Sequence, residues 1–514
     1  MGLGRSIFRH TVVYSAATVL GRLASFLMLP FYAHIFEAEG YGVIGMIDAS
    51  LGIFTILLAG GFQTAILRIY HEQDESKKHI VLGTGIRLVW CIGGGLVLLP
   101  LAFSMPLSNF VLGTPQYYPL FCLALLTFVI DVAGQCASTI QIIRQQSILF
   151  SFIGLARLFV GLGLNIWLVV VLRVGLIGIF VSSFVSALLA SAVFHYVASR
   201  EHRLGFDKSL ARELLRFQLP LLPGEIISFV GRQAERIMVR ILIGLEGMGV
   251  LEVAYKFPPL LNLFINVPFQ RAWRTKCFEI AEKNDAPRII SEMFTRYLFM
   301  MIFAGLLLAV TIRDILELMT PPEFWQAARI TKIEIVTTIL SGSTGYLTFG
   351  LIYHKLTKTM SFVKSTLTPV KVVLGIMMIS TWGLEGAAYS ALVIEVATLV
   401  WLVSKSQQHY SIPVEYGKIF VLLSTAGGLY WLLDGNSYTG FGPANFILEH
   451  VFSPLAGVLQ DSPLGGWKSG KLVQLFREKQ NLALSAILNS FFALAFLALA
   501  PMLRQKDSLK SNVL

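Results

Sequence analysis

The sequence predicts an all-α integral membrane protein of about fourteen transmembrane helices, in two parallel six-helix lobes followed by two further helices. Three observations carry that prediction. Of 514 residues, 55% are hydrophobic and only 14% charged, with a mean hydropathy of +0.70, where a soluble domain carries about 25% charged residues. Apolar runs of about 20 residues, enough to cross a hydrocarbon core about 30 Å thick, recur along the chain. Short phrases also repeat at a near-constant spacing: "EGYGV" at Glu39 returns as "EGMGV" at Glu246, 207 residues later.

Between charge clusters the runs give spans at 11–33, 42–66, 80–103, 117–140, 147–171, 175–198, 217–243, 248–270, 297–320, 329–353, 361–380, 384–404, 416–433 and 481–503. Backbone polar groups cannot stay unpaired in lipid, and the runs lack the alternation of barrel strands, so the spans are helices. Arg5 and Arg9 precede the first, which is too long, and carries Arg22 too deep, for a cleaved signal peptide.

Lys and Arg concentrate on alternate connections, most densely in "SREHRLGFDKSLARELLR" before span seven and "RAWRTKCFEIAEKNDAPR" after span eight. The positive-inside rule then places both termini and the 199–216 and 271–296 connections in the cytoplasm, and 434–479 outside. A basic cytoplasmic face beside anionic lipid accounts for the net charge of +11 without nucleic acid.

Two more landmarks share the spacing. Gly21-Arg22 in span one returns as Gly231-Arg232 in span seven, and "GLIG" at Gly175 returns as "GLEG" at Gly383. Three landmarks in one order at the near-constant offsets of 210, 207 and 208 residues describe a tandem duplication of six helices. Six is even, so both copies run in the same direction, related by an axis along the membrane normal. The expected domains are 1–205, a repeat of it at 206–410, and 411–514, which holds the last two helices and the 434–479 segment.

Residues 7 to about 415 resemble the Wzx-type oligosaccharide flippases of polysaccharide biosynthesis, in the superfamily that includes multidrug extruders and the lipid II flippase. The resemblance is carried by "LGRLASFLMLPFYAHIFEAEGYGVIGMIDA" at Leu20, "QAERIMVRILIGLEGMGVLEVAYKF" at Gln233 and "GLEGAAYSALVIEVATLVWLVSK" at Gly383. It implies a V-shaped transporter, not an enzyme, in the bacterial cytoplasmic membrane. The implied cargo is undecaprenyl-pyrophosphate-linked oligosaccharide for O-antigen or exopolysaccharide, moved to the outer leaflet by alternating access. Membrane lipids and polysaccharide polymerase machinery are the expected partners.

A charge in mid-span costs roughly 2.5–3.5 kcal/mol on insertion scales, so such residues face a cavity or a partner. Arg22 lies halfway along span one. In span seven Glu225, Arg232, Glu235, Arg236 and Arg240 fall within an arc of about 140°. Arg157 in span five is matched by Lys364 in span eleven at the 207-residue offset, with Lys371 deeper on that span and Lys256 in span eight. Arg22, Arg157, Arg232, Arg236, Lys256, Lys364 and Lys371 are the candidate substrate cations, because forked guanidinium donors and mobile ammonium charges suit phosphate oxygens. The competing reading pairs Glu225, Glu235 and Arg236 with Arg232 and one another, while Arg240 and Arg87 snorkel to the interfaces. Asp131, Glu225 and Glu395 are candidate ion-coupling carboxylates, with Asp48 and Glu334 behind them. H+, Na+ and the membrane potential all fit as energy sources, and no cofactor is expected. Pro258-Pro259 is a candidate hinge.

No metal site is expected, since Cys91, Cys122, Cys136 and the cytoplasmic Cys277 have no CxxC spacing and HExxH is absent. "GGWKSGKL" departs from a P-loop at Leu472 and follows no strand. A polysaccharide polymerase or ligase, with Glu449-His450 as catalytic groups, is the alternative from another class, and a multidrug or other lipid exporter of the same superfamily is the rival within transport. The cation-rich spans count against both.

Overall fold

The computed structural model describes residues 20–21, 26–59, 62–144, 146–201 and 205–439. Every regular element among them is helical. The helices are α1 Leu29–Ala59, α2 Phe62–Glu72, α3 Glu75–Ala102, α4 Ser104–Leu112, α5 Tyr118–Ile143, α6 Ser147–Asn165, α7 Leu176–Glu201, α8 Lys208–Gln218, α9 Leu222–Leu242 and α10 Leu245–Ala254. After these come α11 Pro258–Leu261, α12 Val267–Ile280, α13 Ala286–Met319, α14 Ala327–Leu347, α15 Phe349–Tyr353, α16 Thr357–Trp382, α17 Leu384–His409 and α18 Tyr416–Thr439. Nine spans among the described residues are long and apolar enough to cross a membrane. The nine correspond to expected spans two to six, eight, nine, eleven and twelve; spans one and fourteen fall wholly or partly outside the described residues, α9 of span seven carries too many charges to qualify, and spans ten and thirteen are not among the nine.

The helices gather into two compact units, Met1–Glu252 and Val253–Leu514. In the first, α5 packs on α3, α6 and α7. Its core holds Leu58, Ile66, Leu82, Val89, Leu125, Ala133 and Ile140, all fully buried. In the second, α14 and α16 pack on α17, and α13 packs on α14 and α18. An aromatic stack lies at its centre, with Trp273 5.3 Å from Tyr346 and nearly coplanar, and Tyr297 5.9 Å further on.

Two connections expected as loops carry helix. Residues 199–216 hold most of α8, whose apolar stripe of Leu210, Ala211 and Leu214 is buried against α2 and α3. Asp207 caps it, accepting hydrogen bonds from the backbone N–H groups of Ser209 and Leu210 and from the Ser209 hydroxyl. Cys277, in the connection expected to be cytoplasmic, is fully buried in the core of the second unit, on α12, which continues to Ile280. Span eight is broken. Pro258 and Pro259 open α11 as its first two residues instead of kinking a continuous helix, and a π-helical stretch, Asn262–Asn266, follows. Proline fits there because the first N–H groups of a helix have no intrahelical partner. The helix α18 runs six residues into the segment assigned to the outside, and residues 440–479, with "GGWKSGKL" and Glu449-His450, lie outside the described residues.

The repeated phrases have a structural cause. Each "EGxGV" follows a left-handed turn at matching positions, Glu37 with φ 55° and Gly244 with φ 113°. The two phrases then meet within the first unit. A Cβ at Gly42 would overlap the Leu245 carbonyl, and a Cβ at Gly249 would overlap the Ala38 carbonyl. Since 38 matches 245 and 42 matches 249, the contact is reciprocal, and only glycine lets the backbones of α1 and α10 come so close. The "GLxG" phrases likewise open α7 and α17 at positive φ, Gly175 at 83° and Gly383 at 60°.

Candidate functional site

The helix α9, which lies in the chain between the candidate spans Leu176–Arg200 and Leu245–Ile280, concentrates charge. Its ends suit its dipole, with Glu225 in the first turn and Arg240 in the last. Glu235 is buried, whereas Glu225 and Arg232 are exposed. Arg236 pairs across to α10. Arg236 donates Nε–H to Glu252 Oε1 at 2.5 Å and Nη2–H to Oε2 at 3.4 Å, a forked ion pair, and Nη1–H to Gln233 Oε1 at 2.9 Å. Arg232 has no ion-pair partner among the described residues.

Sequence reasoning missed Glu252 and Gln233. The signal for Glu252 lay in the repeat, because the matching position of the first copy is Gly45. A Cβ at Gly45 would collide with the Glu252 side chain, so the small residue of one copy seats the acid of the other. The pair is mostly buried, with side-chain exposures of 26% and 16%.

A second pair lies between α5 and α6. Arg157 donates Nη2–H to Asp131 Oδ2 at 2.8 Å, with side-chain exposures of 38% and 24%. A candidate substrate cation and a candidate coupling acid thus form one unit. In the second unit Glu395 on α17 accepts a hydrogen bond from Thr344 Oγ1 at 3.2 Å, and Lys364 and Lys371 of α16 lie within its electrostatic reach. Lys364 is exposed and Lys371 half-buried. Lys256 is half-buried in the break between α10 and α11, and Arg22 lies outside the described residues.

Each unit thus holds cations beside carboxylates or hydroxyls, and the first adds an exposed arginine midway along α9; side chains of this kind suit oxyanions. Among the described residues no cluster of His, Cys, Asp and Glu is disposed to hold a metal ion.

Residues 7–274 match the family described as "Polysaccharide biosynthesis protein". A curated relative, "Lsg locus putative protein 1" of Haemophilus influenzae (strain ATCC 51907 / DSM 11121 / KW20 / Rd), is 26% identical over 87 residues, 17% of this chain and 22% of the relative, so the match spans about a fifth of that protein. Among solved structures, "Lipid II flippase MurJ, inward closed conformation" superposes with a TM-score of 0.71 at 13% identity, over 96% of this chain and 100% of that one. "Inward-facing conformation of a multidrug resistance MATE family transporter of the MOP superfamily" gives 0.56 at 14% identity, over 76% and 96%. The fold is therefore that of the lipid II flippase and multidrug transporter group, in a multi-pass membrane protein.

Proposed function

The chain belongs to the polysaccharide biosynthesis protein family, and on that premise we propose that it is a flippase carrying a pyrophosphate-linked oligosaccharide across the bacterial cytoplasmic membrane, from the inner to the outer leaflet. The observation that carries this reading is α9. It is a 21-residue helix between membrane spans with Arg232 exposed and Arg236 fixed by Glu252 and Gln233. An exposed arginine at that depth needs water or an anion beside it, because lipid would penalise it. A transport path supplies water, and a pyrophosphate supplies the anion.

The lobes at 1–205 and 206–410 belong to this reading as two copies that rock about the path, with both termini cytoplasmic and 411–514 appended. Arg157, Arg232, Lys256, Lys364 and Lys371 compensate the headgroup during passage, with Arg22 as the match of Arg232 in the first copy. With the inside negative, outward movement of each negative charge gains about 2.3 kcal/mol per 100 mV, so the potential can drive an anionic cargo. Asp131 and Glu395 are the carboxylates through which H+ or Na+ would couple.

Surface polysaccharide in cells expressing single variants, read beside protein level and melting temperature, tests the proposal. Arg232→Ala abolishes export with folding intact, and Arg232→Lys restores part of it, because the charge survives while the fork is lost. A stable Arg232→Ala protein with full export would overturn it.

A further inference from the structure

A second basic site lies away from α9 and from every candidate cation above. In the second unit, the last turns of α13, the turn at Thr320–Gln326 and the first turn of α14 enclose a cleft of about 340 Å³ lined by Arg313, Glu317, Trp325, Gln326, Arg329 and Lys332, with Ala328. We propose that this cleft binds a phosphate-bearing group, either the headgroup of an anionic lipid or a soluble diphosphate, clamped by Arg313, Arg329 and Lys332.

Each cation is positioned by a fixed neighbour. Arg313 donates Nε–H to Glu317 at 2.8 Å, and Arg329 donates Nη1–H to Glu385 of α17 at 3.2 Å. Lys332 lies 5.6 Å from the centre of the Tyr430 ring of α18. Arg313 and Arg329 each carry five donors, and with Lys332 they bring three positive charges to the lining of a space that holds one carboxylate, Glu317, with Glu385 paired to Arg329. A phosphate presents oxygens in several directions and can meet donors arriving from α13 and α14 at once, whereas a lone carboxylate offers one edge. The first turn of the 21-residue α14 adds its positive dipole end.

Trp325 supplies the other half of a headgroup site. Its Nε1–H is committed to the Thr320 carbonyl at 3.2 Å, so the ring is held in one orientation, and the residue is 40% exposed at the cleft. A fixed indole face beside the cations gives the glycerol or sugar next to a phosphate a surface to pack on. On the proposed topology the cleft opens at the outer end of α13. The site does not depend on the flippase reading.

The test uses the full chain labelled with 5-fluorotryptophan in phosphatidylcholine nanodiscs. The 19F resonance of Trp325 is identified by its loss in Trp325→Phe, among the 8 tryptophans of the chain. Titration with inorganic pyrophosphate, or exchange into nanodiscs containing phosphatidylglycerol, is expected to shift that resonance and leave the others in place. A shift with pyrophosphate in pure phosphatidylcholine identifies a soluble diphosphate site; a shift with phosphatidylglycerol alone identifies a lipid headgroup site. Arg313→Gln/Lys332→Gln removes the response, and Lys332→Gln alone, which leaves the Arg313–Glu317 pair intact, weakens it about tenfold. The proposal is overturned by a Trp325 resonance that moves with neither ligand, as for a purely interfacial anchor. It is equally overturned by a response that survives in both variants.

Discussion

Arg157 in the first unit and Lys364 in the second stand at matching positions of the repeat, yet they are held differently. Arg157 makes a direct 2.8 Å ion pair with Asp131, one helix back in the chain. Near Lys364 the acid is Glu395, one helix forward, held by the Thr344 hydroxyl and shared electrostatically with Lys371. Both matching positions carry a cation, but the counter-charge lies on a different helix in each. The first site is locked by geometry. The second leaves a mobile ammonium group with a carboxylate in reach, an arrangement that tolerates rearrangement more readily.

The largest effect expected of that difference is on stability. A thermodynamic cycle of Arg157→Ala and Asp131→Ala should give a coupling of about 2 kcal/mol, below the value for a fully buried pair because both side chains are partly exposed. The Lys364→Ala and Glu395→Ala cycle should give under about 0.5 kcal/mol. Equal couplings, measured by denaturant unfolding in detergent, would erase the distinction between the sites.

The contrast is sharpened at Gly45, where the copies differ by design of the contact. Gly45→Ala should displace Glu252 and loosen its fork to Arg236, at a cost of about 1–3 kcal/mol. Gly95→Ala, where an added Cβ meets nothing within 4 Å, should cost less than the Gly45 change on the same melting curve. A Gly45→Ala protein as stable as the wild type would mean that the acid has another seat.

Matching turns give a smaller effect of opposite sign. Glu37 adopts φ 55° and ψ −176°, a region that glycine alone enters readily, and the second copy has Gly244 at the equivalent place. Glu37→Gly should therefore stabilise the protein by about 1 kcal/mol, whereas Gly244→Ala should destabilise it by a similar amount. A lower melting temperature for Glu37→Gly would count against strain at that turn.

The smallest effect falls on α8, the link between the copies. The Ser209 hydroxyl, then the backbone N–H groups of Leu210 and Ser209, hold the Asp207 carboxyl below its ordinary value. A depressed folded pKa contributes stability above the unfolded value and loses it as pH falls through the folded one. The melting-temperature gap between wild type and Asp207→Ala should thus hold at neutral pH and narrow only below about pH 4. A gap that closes between pH 7 and 5 would assign the cap to another group.

Much of this was legible in the chain because the membrane simplifies the code. Run length and charge gave the helical class and most spans, and the repeated phrases pointed to a tandem repeat. The partners of the charges were not legible. Span seven appeared as a self-contained stripe, but Arg236 turns to Glu252 across the next turn of chain. Asp131 and Arg157 stand 26 residues apart with nothing in the sequence to link them, and they form one pair. The acid that matters for Arg236 escaped attention because one carboxylate in a glycine-rich helix start resembles an interfacial residue until its neighbour is known.

The sequence by itself determined that this chain is helical, lives in a membrane and repeats itself, since hydropathy, length and spacing are one-dimensional quantities that the bilayer reads directly. Tertiary structure alone decided that the two repeated phrases touch. Gly42 lies on the Leu245 carbonyl and Gly249 on that of Ala38, a reciprocity that spacing can suggest but never show. Which cation meets which acid was settled there too, because ion pairs depend on a few ångströms between helices far apart in the chain, and Coulomb attraction inside a protein is strong enough to select among them.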